Sequence, residues 1–153
     1  MTLSDAAGAD LLTVMESGTA FARTLGAKVV SVGEGTAVLT LDAPEALHNH
    51  VGGPHAATLF GLAETAAAAV VVTVFEDLFR AGAVPLIKSA EISYLAIAQG
   101  PVTATARFSG EEDGVRESMR LRNVAVFPVD VTLTNAEGTV VAKMTPQMAL
   151  KRF

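Results

Sequence analysis

The residues best suited to chemistry lie in one stretch, residues 49–65, with the sequence NHVGGPHAATLFGLAET. It combines the amide of Asn49, the imidazole of His55 and the carboxylate of Glu64 with a Gly-Gly-Pro turn. Glu64 is the only ionisable residue between His55 and Glu76, in a run of Ala, Val, Leu, Phe, Gly and Thr. A carboxylate in such apolar surroundings is paired, protonated or used in catalysis. We therefore take Glu64 as the first candidate for a general base or nucleophile.

Each of these residues also has a structural interpretation. Glu64 could be a buried acid that accepts hydrogen bonds from loop amides or a threonine. Asn49 could form an Asx turn that opens the loop, and His55 could only position the start of the following helix. Gly61 and Ala68, which neighbour Glu64 on a helix, leave space that either admits a ligand or allows close packing of another backbone.

The backbone at the start of that helix offers a second chemical group. The amides of Ala56 and Ala57 have no intrahelical acceptor, and they lie at the positive end of the helix dipole. Such donors can bind a carbonyl oxygen that gains negative charge during a reaction. The sequence therefore predicts a carboxylate and a pair of oxyanion donors on one helix.

The sequence favours neither a metal site nor a nucleotide site. His48, His50 and His55 suggest a metal site, but no second carboxylate lies close in sequence, so we expect neither a metal nor a cofactor. The Gly-Gly-Pro turn precedes a helix, as phosphate-binding loops do. It lacks the Lys-Ser or Lys-Thr ending of a nucleotide loop, so we expect no nucleoside triphosphate site.

Composition narrows the class of protein. The 153 residues predict a single domain over residues 1–153. With 50% hydrophobic and 18% charged residues and a mean hydropathy of +0.43, the chain is apolar enough to suggest burial between subunits, hence a homo-oligomer, a dimer or tetramer. The net charge of −5 and the scattered 11 Lys and Arg residues argue against nucleic acid as a partner.

The cellular location is predicted from what the sequence contains. It has no cysteine, which is compatible with a reducing cytosol. Its first residues show no basic region followed by an apolar run, so we expect a cytoplasmic protein. The apolar run after residue 56 is interrupted by Glu64 and followed by Glu76 and Asp77, which favours a buried core helix and no membrane partner.

The periodicities predict the elements that must position these groups. Residues 4–23 suit an amphipathic helix, with Ser4 and Asp5 as caps and Gly18 as a weak point. Residues 28–32 and 36–41 read as a β-hairpin, and 42–54 as a loop. An apolar helix of about 25 residues, 56–80, follows and is ended by Gly82.

The second half of the chain reads as strands. Residues 85–98 and 102–109 are predicted to form an antiparallel hairpin, and 111–122 a short solvated helix. Two further strands, 124–134 and 139–151, flank a turn at 135–138. The fold class is therefore α+β, with an antiparallel sheet that curls around the apolar helix, or a partner that covers it.

This order of elements and the motif resemble the hotdog fold and its thioesterases related to phenylacetic-acid-degradation proteins, over nearly the whole chain. Those proteins carry an Asn or Gln, a Gly in the loop, a His at the helix start and an acid nine residues after the His. Asn49, Gly52, His55 and Glu64 fill these positions, and Thr65 follows the acid. The chain departs from the pattern where Ala56-Ala57 replaces Gly-Gly, and where Ala68 stands at a position that carries a hydroxyl in some members.

The resemblance implies hydrolysis of an acyl thioester, of the acyl-CoA kind, with the acyl chain lying across a subunit interface. We assign Glu64, Asn49 and His55 as catalytic residues. The residues expected to contact the substrate are Gly53, Ala56, Ala57, Gly61, Thr65 and Ala68. A non-catalytic hotdog domain that binds an acyl ligand or only dimerises is the main alternative, and a hotdog hydratase or dehydratase is the third.

Overall fold

A computed structural model describes residues 10–153 as a six-stranded antiparallel sheet around one long helix. The helices are α1 (Leu11–Ser17), α2 (Ala20–Leu25), α3 (Ala56–Val74), α4 (Glu76–Arg80) and α5 (Glu112–Arg122), with a 3₁₀ turn at Glu45–Leu47. The strands are β1 (Lys28–Gly33), β2 (Thr36–Leu41), β3 (Val84–Tyr94), β4 (Val102–Phe108), β5 (Val124–Asn135) and β6 (Val140–Lys151).

The sheet has the strand order β1-β2-β4-β5-β6-β3, and every pairing is antiparallel. Helix α3 lies against the inner face of the sheet, and the alternation of buried side chains along β5 explains this packing. The side chains of Ala125, Phe127, Val129, Val131 and Leu133 alternate along the strand and are all buried, because successive residues point to opposite faces. The sheet therefore wraps its apolar face around α3, as predicted.

Helix α3 is apolar on most of its faces. Twelve of its 19 residues are buried, and Leu62, Ala63, Ala66, Ala67 and Val70 are fully inaccessible. By length and hydropathy it could cross a membrane, but most of it is buried inside the fold. The helix is thus the core of the domain, which agrees with the sequence prediction.

The N-terminal helix predicted over residues 4–23 is wrong as a single element. The described part divides into α1 and α2, because Thr19 takes an extended conformation and its hydroxyl accepts a hydrogen bond from the Ala22 amide at 3.0 Å. Thr19 therefore caps a new helix, and Asp10 caps α1 in the same way. The predicted caps Ser4 and Asp5 lie outside the described residues.

The long helix predicted over residues 56–80 is also too long. It ends at Val74, and Phe75 leaves the helical conformation with φ −115° and ψ 39°. The ring of Phe75 is fully buried between Phe108 and Phe127, with centroids 5.4 and 5.5 Å away. A run of β-branched residues just before it weakens the helix, so the aromatic cluster redirects the chain. The positive φ of Gly82, just after α4, matches the predicted end.

The predicted hairpin between the strands at 85–98 and 102–109 is wrong. Strand β3 ends at Tyr94 and pairs with β6 at the edge of the sheet, whereas β4 lies between β2 and β5. Seven residues, 95–101, connect β3 to β4, which is longer than a hairpin loop and lets the two strands separate. A bulge between Ile87 and Ser89 also shifts the alternation within β3.

Three other local predictions are confirmed. Strands β1 and β2 form the hairpin around residues 33–35, and β5 and β6 form the hairpin around the turn at 135–138. Helix α5 occupies 11 residues where a short charged helix was expected, and Asn123 ends it in the left-handed conformation. The fold class is α+β, with the sheet wrapped around a central helix.

Candidate active site

Glu64 lies on α3, between two and three turns from its start. Its carboxylate is partly buried, and burial raises the pKa of this carboxyl above the usual value. Within residues 10–153 no side chain or amide donates a hydrogen bond to it. Thr65, the adjacent hydroxyl, donates instead to the Gly61 carbonyl at 2.7 Å. Glu64 is therefore an acid without a protein partner in the described chain.

Asn49 holds the loop in front of α3. Its Oδ1 accepts hydrogen bonds from the amides of Val51 at 3.0 Å and Gly53 at 3.3 Å, and its Nδ2 donates to the Pro54 carbonyl at 3.3 Å. The bond to Val51 is the Asx turn considered as an alternative above. The whole amide is engaged with the loop backbone, so it orders the segment that leads to His55.

His55 is the N-cap of α3. Its Nδ1 accepts a hydrogen bond from the Ala57 amide at 3.0 Å, which requires a ring with no proton on Nδ1. The Ala57 amide is therefore engaged. Of the two predicted oxyanion donors, only the Ala56 amide has no acceptor in the described chain.

Tyr94 contacts the candidate site, and the sequence did not indicate it. Its hydroxyl donates to the Ala56 carbonyl at 3.0 Å and so joins the end of β3 to the first turn of α3. Burial raises the pKa of this phenol, so it remains a donor at neutral pH. No sequence pattern relates position 94 to position 56, because the contact depends on the path of β3 along the sheet edge.

The loop packs closely against the connection that follows β3. A Cβ atom at Gly53 would overlap the carbonyl oxygen of Ala98, which is backbone and cannot move away as a side chain does. Gly53 therefore allows the two loops to touch. This contact holds the loop that precedes α3 against residues 98 and 99.

The predicted site residues form two groups on α3. Ala56 and Glu64 are eight residues apart, or roughly 12 Å along the axis. The Ala56 N–H points out of the helix start, away from Glu64. One group therefore comprises the loop, His55 and the Ala56 amide, and the other comprises Glu64 with Gly61, Thr65 and Ala68.

The second group faces a cavity of about 530 Å³ between α3 and the N-terminal helices. Glu64, Thr65 and Ala68 line it. Gly61 contacts Phe21, a residue of α2 that also lines the cavity: a Cβ at Gly61 would lie 2.6 Å from the Phe21 ring. Phe21 was not among the residues predicted for the site, although a glycine inside a helix is a signal that another group approaches closely.

The three histidines are not brought together as metal ligands. The ring Nε2 of His48 lies 2.9 Å from the Ala43 carbonyl, and His55 Nδ1 caps α3. Among residues 10–153 no group of three His, Cys, Asp or Glu side chains is arranged to hold a metal.

Helix α3 inside a curled antiparallel sheet defines the hotdog fold, and comparisons with solved structures confirm it. A Pseudomonas aeruginosa protein of unknown function, PA5026, described as a probable thioesterase, is 24% identical, with 94% of each chain covered and a TM-score of 0.78. The PaaI protein of the Escherichia coli phenylacetic acid degradation operon is 23% identical over 99% of this chain and 97% of that one, with a TM-score of 0.70.

A third similar structure is a mutant of the Staphylococcus aureus thioesterase SAV0944, 18% identical over 87% of this chain and 99% of that one, with a TM-score of 0.71. By sequence, residues 9–150 match the family described as a domain of unknown function, DUF4442, and the chain belongs to that family. No curated protein matches the sequence.

Proposed function

We propose that this protein hydrolyses an acyl thioester, with Glu64 as the general base or nucleophile. The observation that carries the proposal is a carboxylate that opens onto an apolar cavity, has no protein partner in the described chain, and has a raised pKa. A raised pKa makes the carboxylate a stronger base than a solvated one at neutral pH. The thioesterases among the solved structures of this fold support the same reaction class.

The reaction requires four changes at the thioester. As general base, Glu64 takes a proton from a water molecule while the water oxygen bonds to the carbonyl carbon. The carbonyl oxygen gains negative charge and is stabilised by an amide donor, for which we propose Ala56. The C–S bond then breaks, the sulfur leaves with the electron pair and takes up a proton, and the free acid remains.

We propose that two copies of the chain complete the site. The oxygen that the Ala56 amide would bind lies beyond the helix start, roughly 12 Å or more from Glu64 of the same chain. This separation favours Glu64 of one copy acting with the loop and helix start of another. In that arrangement Asn49 and His55 are positioning residues that order the donor.

The edge of the sheet supports a homodimer, or a tetramer built from such dimers. Strand β3 is 11 residues long and pairs on one side only within the described chain. Long unpaired edges invite pairing with another strand. Tyr94 ends the strand and Leu95 and Ile97 follow it, and these three exposed side chains suit burial against a second copy.

We propose coenzyme A as the thiol carrier of the substrate, in a cytoplasmic protein that needs no metal or cofactor for the chemistry. A carboxylate, water and amide donors suffice for hydrolysis of an ester-like bond.

The test compares wild-type protein with Glu64→Gln against acyl-CoA substrates of different lengths, measuring thiol release. The control is Glu137→Gln, the same change in the exposed turn between β5 and β6. Loss of the base predicts a fall in turnover of about 10²-fold to 10⁴-fold for Glu64→Gln and none for the control. Equal turnover in the two variants would exclude Glu64 as the base.

A non-catalytic domain that binds an acyl ligand is the second candidate. The observation in its favour is the His55 cap on the Ala57 amide, which leaves one predicted oxyanion donor in place of two. No thiol release by the wild type on any substrate, with ligand binding retained, would support this candidate. Hydration of an enoyl-CoA would instead indicate a hydratase.

A further inference from the structure

We infer that the cavity beside Glu64 is a pocket for an unbranched saturated acyl chain of about eight to ten carbons. The distance from Glu64 to Val72 along α3 sets this chain length. The inference rests on the proposed function, because it assigns the tail of the substrate whose carbonyl group meets Glu64. It adds the substrate class and the residues that set the length.

The lining of the cavity carries few polar groups that can meet a ligand. The Thr19 hydroxyl caps α2, and the Thr65 hydroxyl donates to the Gly61 carbonyl. Arg23 is exposed, and one N–H of its guanidinium donates to the Ser17 carbonyl at 2.9 Å. Among the described lining residues Glu64 is the acid without a protein partner, and most of the other side chains are apolar. A ligand therefore meets the Glu64 carboxylate at one position and mostly apolar walls elsewhere.

The apolar walls extend from Glu64 toward the far end of α3. Ala68 and Val72 follow Glu64 at intervals of four residues and so share its face of the helix. Phe79 of α4 and Pro85 of β3 also line the cavity, and both elements come after the end of α3. The free space therefore runs along the helix from the carboxylate to the α4 and β3 end.

The length of this space selects the ligand. Glu64 and Val72 are eight residues apart, or about 12 Å along the helix. A saturated chain with C–C bonds of about 1.5 Å advances roughly 1.3 Å per carbon, so about nine carbons span the distance. The volume, about 530 Å³, accommodates such a chain, since roughly 150 Å³ holds a benzene ring. An aromatic acyl group of two or three carbons plus a ring would leave much of the length unfilled.

Phe21 forms the wall at the carboxylate end. Its ring lies on Gly61, one turn before Glu64, and its side chain is 53% exposed. The ring therefore borders the pocket beside Glu64 and is itself partly exposed. An acyl chain that enters beside Glu64 would contact one face of this ring.

The experiment measures binding without turnover. The Glu64→Gln protein is titrated by calorimetry with straight-chain acyl-CoA thioesters of 2–16 carbons and with phenylacetyl-CoA. Each buried methylene should tighten binding about fourfold, up to about eight to ten carbons, beyond which the gain should stop. The phenylacetyl thioester should bind more weakly than the nine-carbon chain.

Two variants in the Glu64→Gln background should shift the limiting acyl-chain length for binding in opposite directions. Ala68→Leu fills the pocket one turn from residue 64, or about 6 Å along the axis, and should move the limit to about four or five carbons. Val72→Ala opens the far end and should move it by one or two carbons to longer chains. Ala136→Leu, in the exposed turn between β5 and β6, is the matched control and should change nothing.

The outcomes separate the pocket from the reaction. Binding that does not depend on chain length, or a limit that neither Ala68→Leu nor Val72→Ala moves, would overturn the pocket assignment even if the wild type hydrolyses thioesters. A limit that moves as described, in a protein that hydrolyses none of them, would overturn the proposed reaction and leave the pocket in place.

Discussion

Replacing Gly61 by alanine adds one methyl group where α3 meets the ring of Phe21. The new Cβ would lie 2.6 Å from Cζ and 2.9 Å from Cε1 of that ring, and the next atom is 3.9 Å away. The ring must therefore move by several tenths of an ångström. It is able to move, since it is the end of a flexible side chain on a short helix.

Two opposing effects decide the change in stability. Alanine inside a helix is more favourable than glycine by about 1 kcal/mol. Phe21 is 53% exposed, so somewhat less than half of a phenylalanine surface of about 200 Å² is buried and would become exposed. At about 25 cal/mol per Å², this is about 2 kcal/mol if the ring detaches completely. Because the ring must shift and lose part of this contact, the net effect of Gly61→Ala in the wild type is between no change and a loss of about 1 kcal/mol.

A double-mutant cycle isolates the contact. In a Phe21→Ala background only the helix propensity remains, so Gly61→Ala should stabilise by about 1 kcal/mol. The coupling between the two positions should therefore be about 1–2 kcal/mol. Urea denaturation measures all four proteins, with Phe153→Ala as a control for loss of an exposed phenylalanine.

Equal stabilisation by Gly61→Ala in the two backgrounds would refute the reasoning. It would mean that the Phe21 ring does not lie on Gly61 in solution. Phe21 could then not form the wall of the cavity beside Glu64.

Two further predictions concern the acid and the loop. Burial raises the pKa of Glu64 in the folded protein above its usual value. The protonated form therefore contributes stability that is fully present below the unfolded-state pKa and is lost as the pH rises through the folded-state pKa. Glu64→Gln should therefore have a higher Tm than the wild type at pH 7 but not at pH 4, and an equal difference at both would contradict this. Gly53→Ala, whose Cβ would overlap the Ala98 carbonyl, should destabilise by about 1–3 kcal/mol in urea. The matched change Gly114→Ala meets nothing closer than 3.7 Å in α5 and should stabilise by about 1 kcal/mol. A neutral result for Gly53→Ala would show that the two loops are apart.

Local chemistry explains which parts of the fold were predictable. The hairpins β1-β2 and β5-β6 and the end of α5 depend on turn residues and on alternation within a few positions, so sequence alone identifies them. The apolar run of α3 likewise requires burial on most faces, which predicts a sheet that curls around it.

Elements whose limits depend on distant contacts were predicted wrongly. The end of α3 at Val74 follows from the aromatic cluster around Phe75, whose members come from three separate parts of the chain. The partner of β3 follows from how six strands share one sheet, and a seven-residue connection does not specify it. The end of α3 and the partner of β3 are therefore determined only when the core packs.

The candidate site divides in the same way. The spacing of Asn49, His55 and Glu64 is a property of the sequence. It identified the loop, the helix start and the acid, because all three lie within one short segment. Only the tertiary structure decided that the Tyr94 hydroxyl donates to the Ala56 carbonyl and that Phe21 covers Gly61. It also decided that Glu64 faces a cavity built by α1, α2, α4 and β3. These features join residues far apart in the chain, and long-range packing, which no local pattern encodes, brings them together.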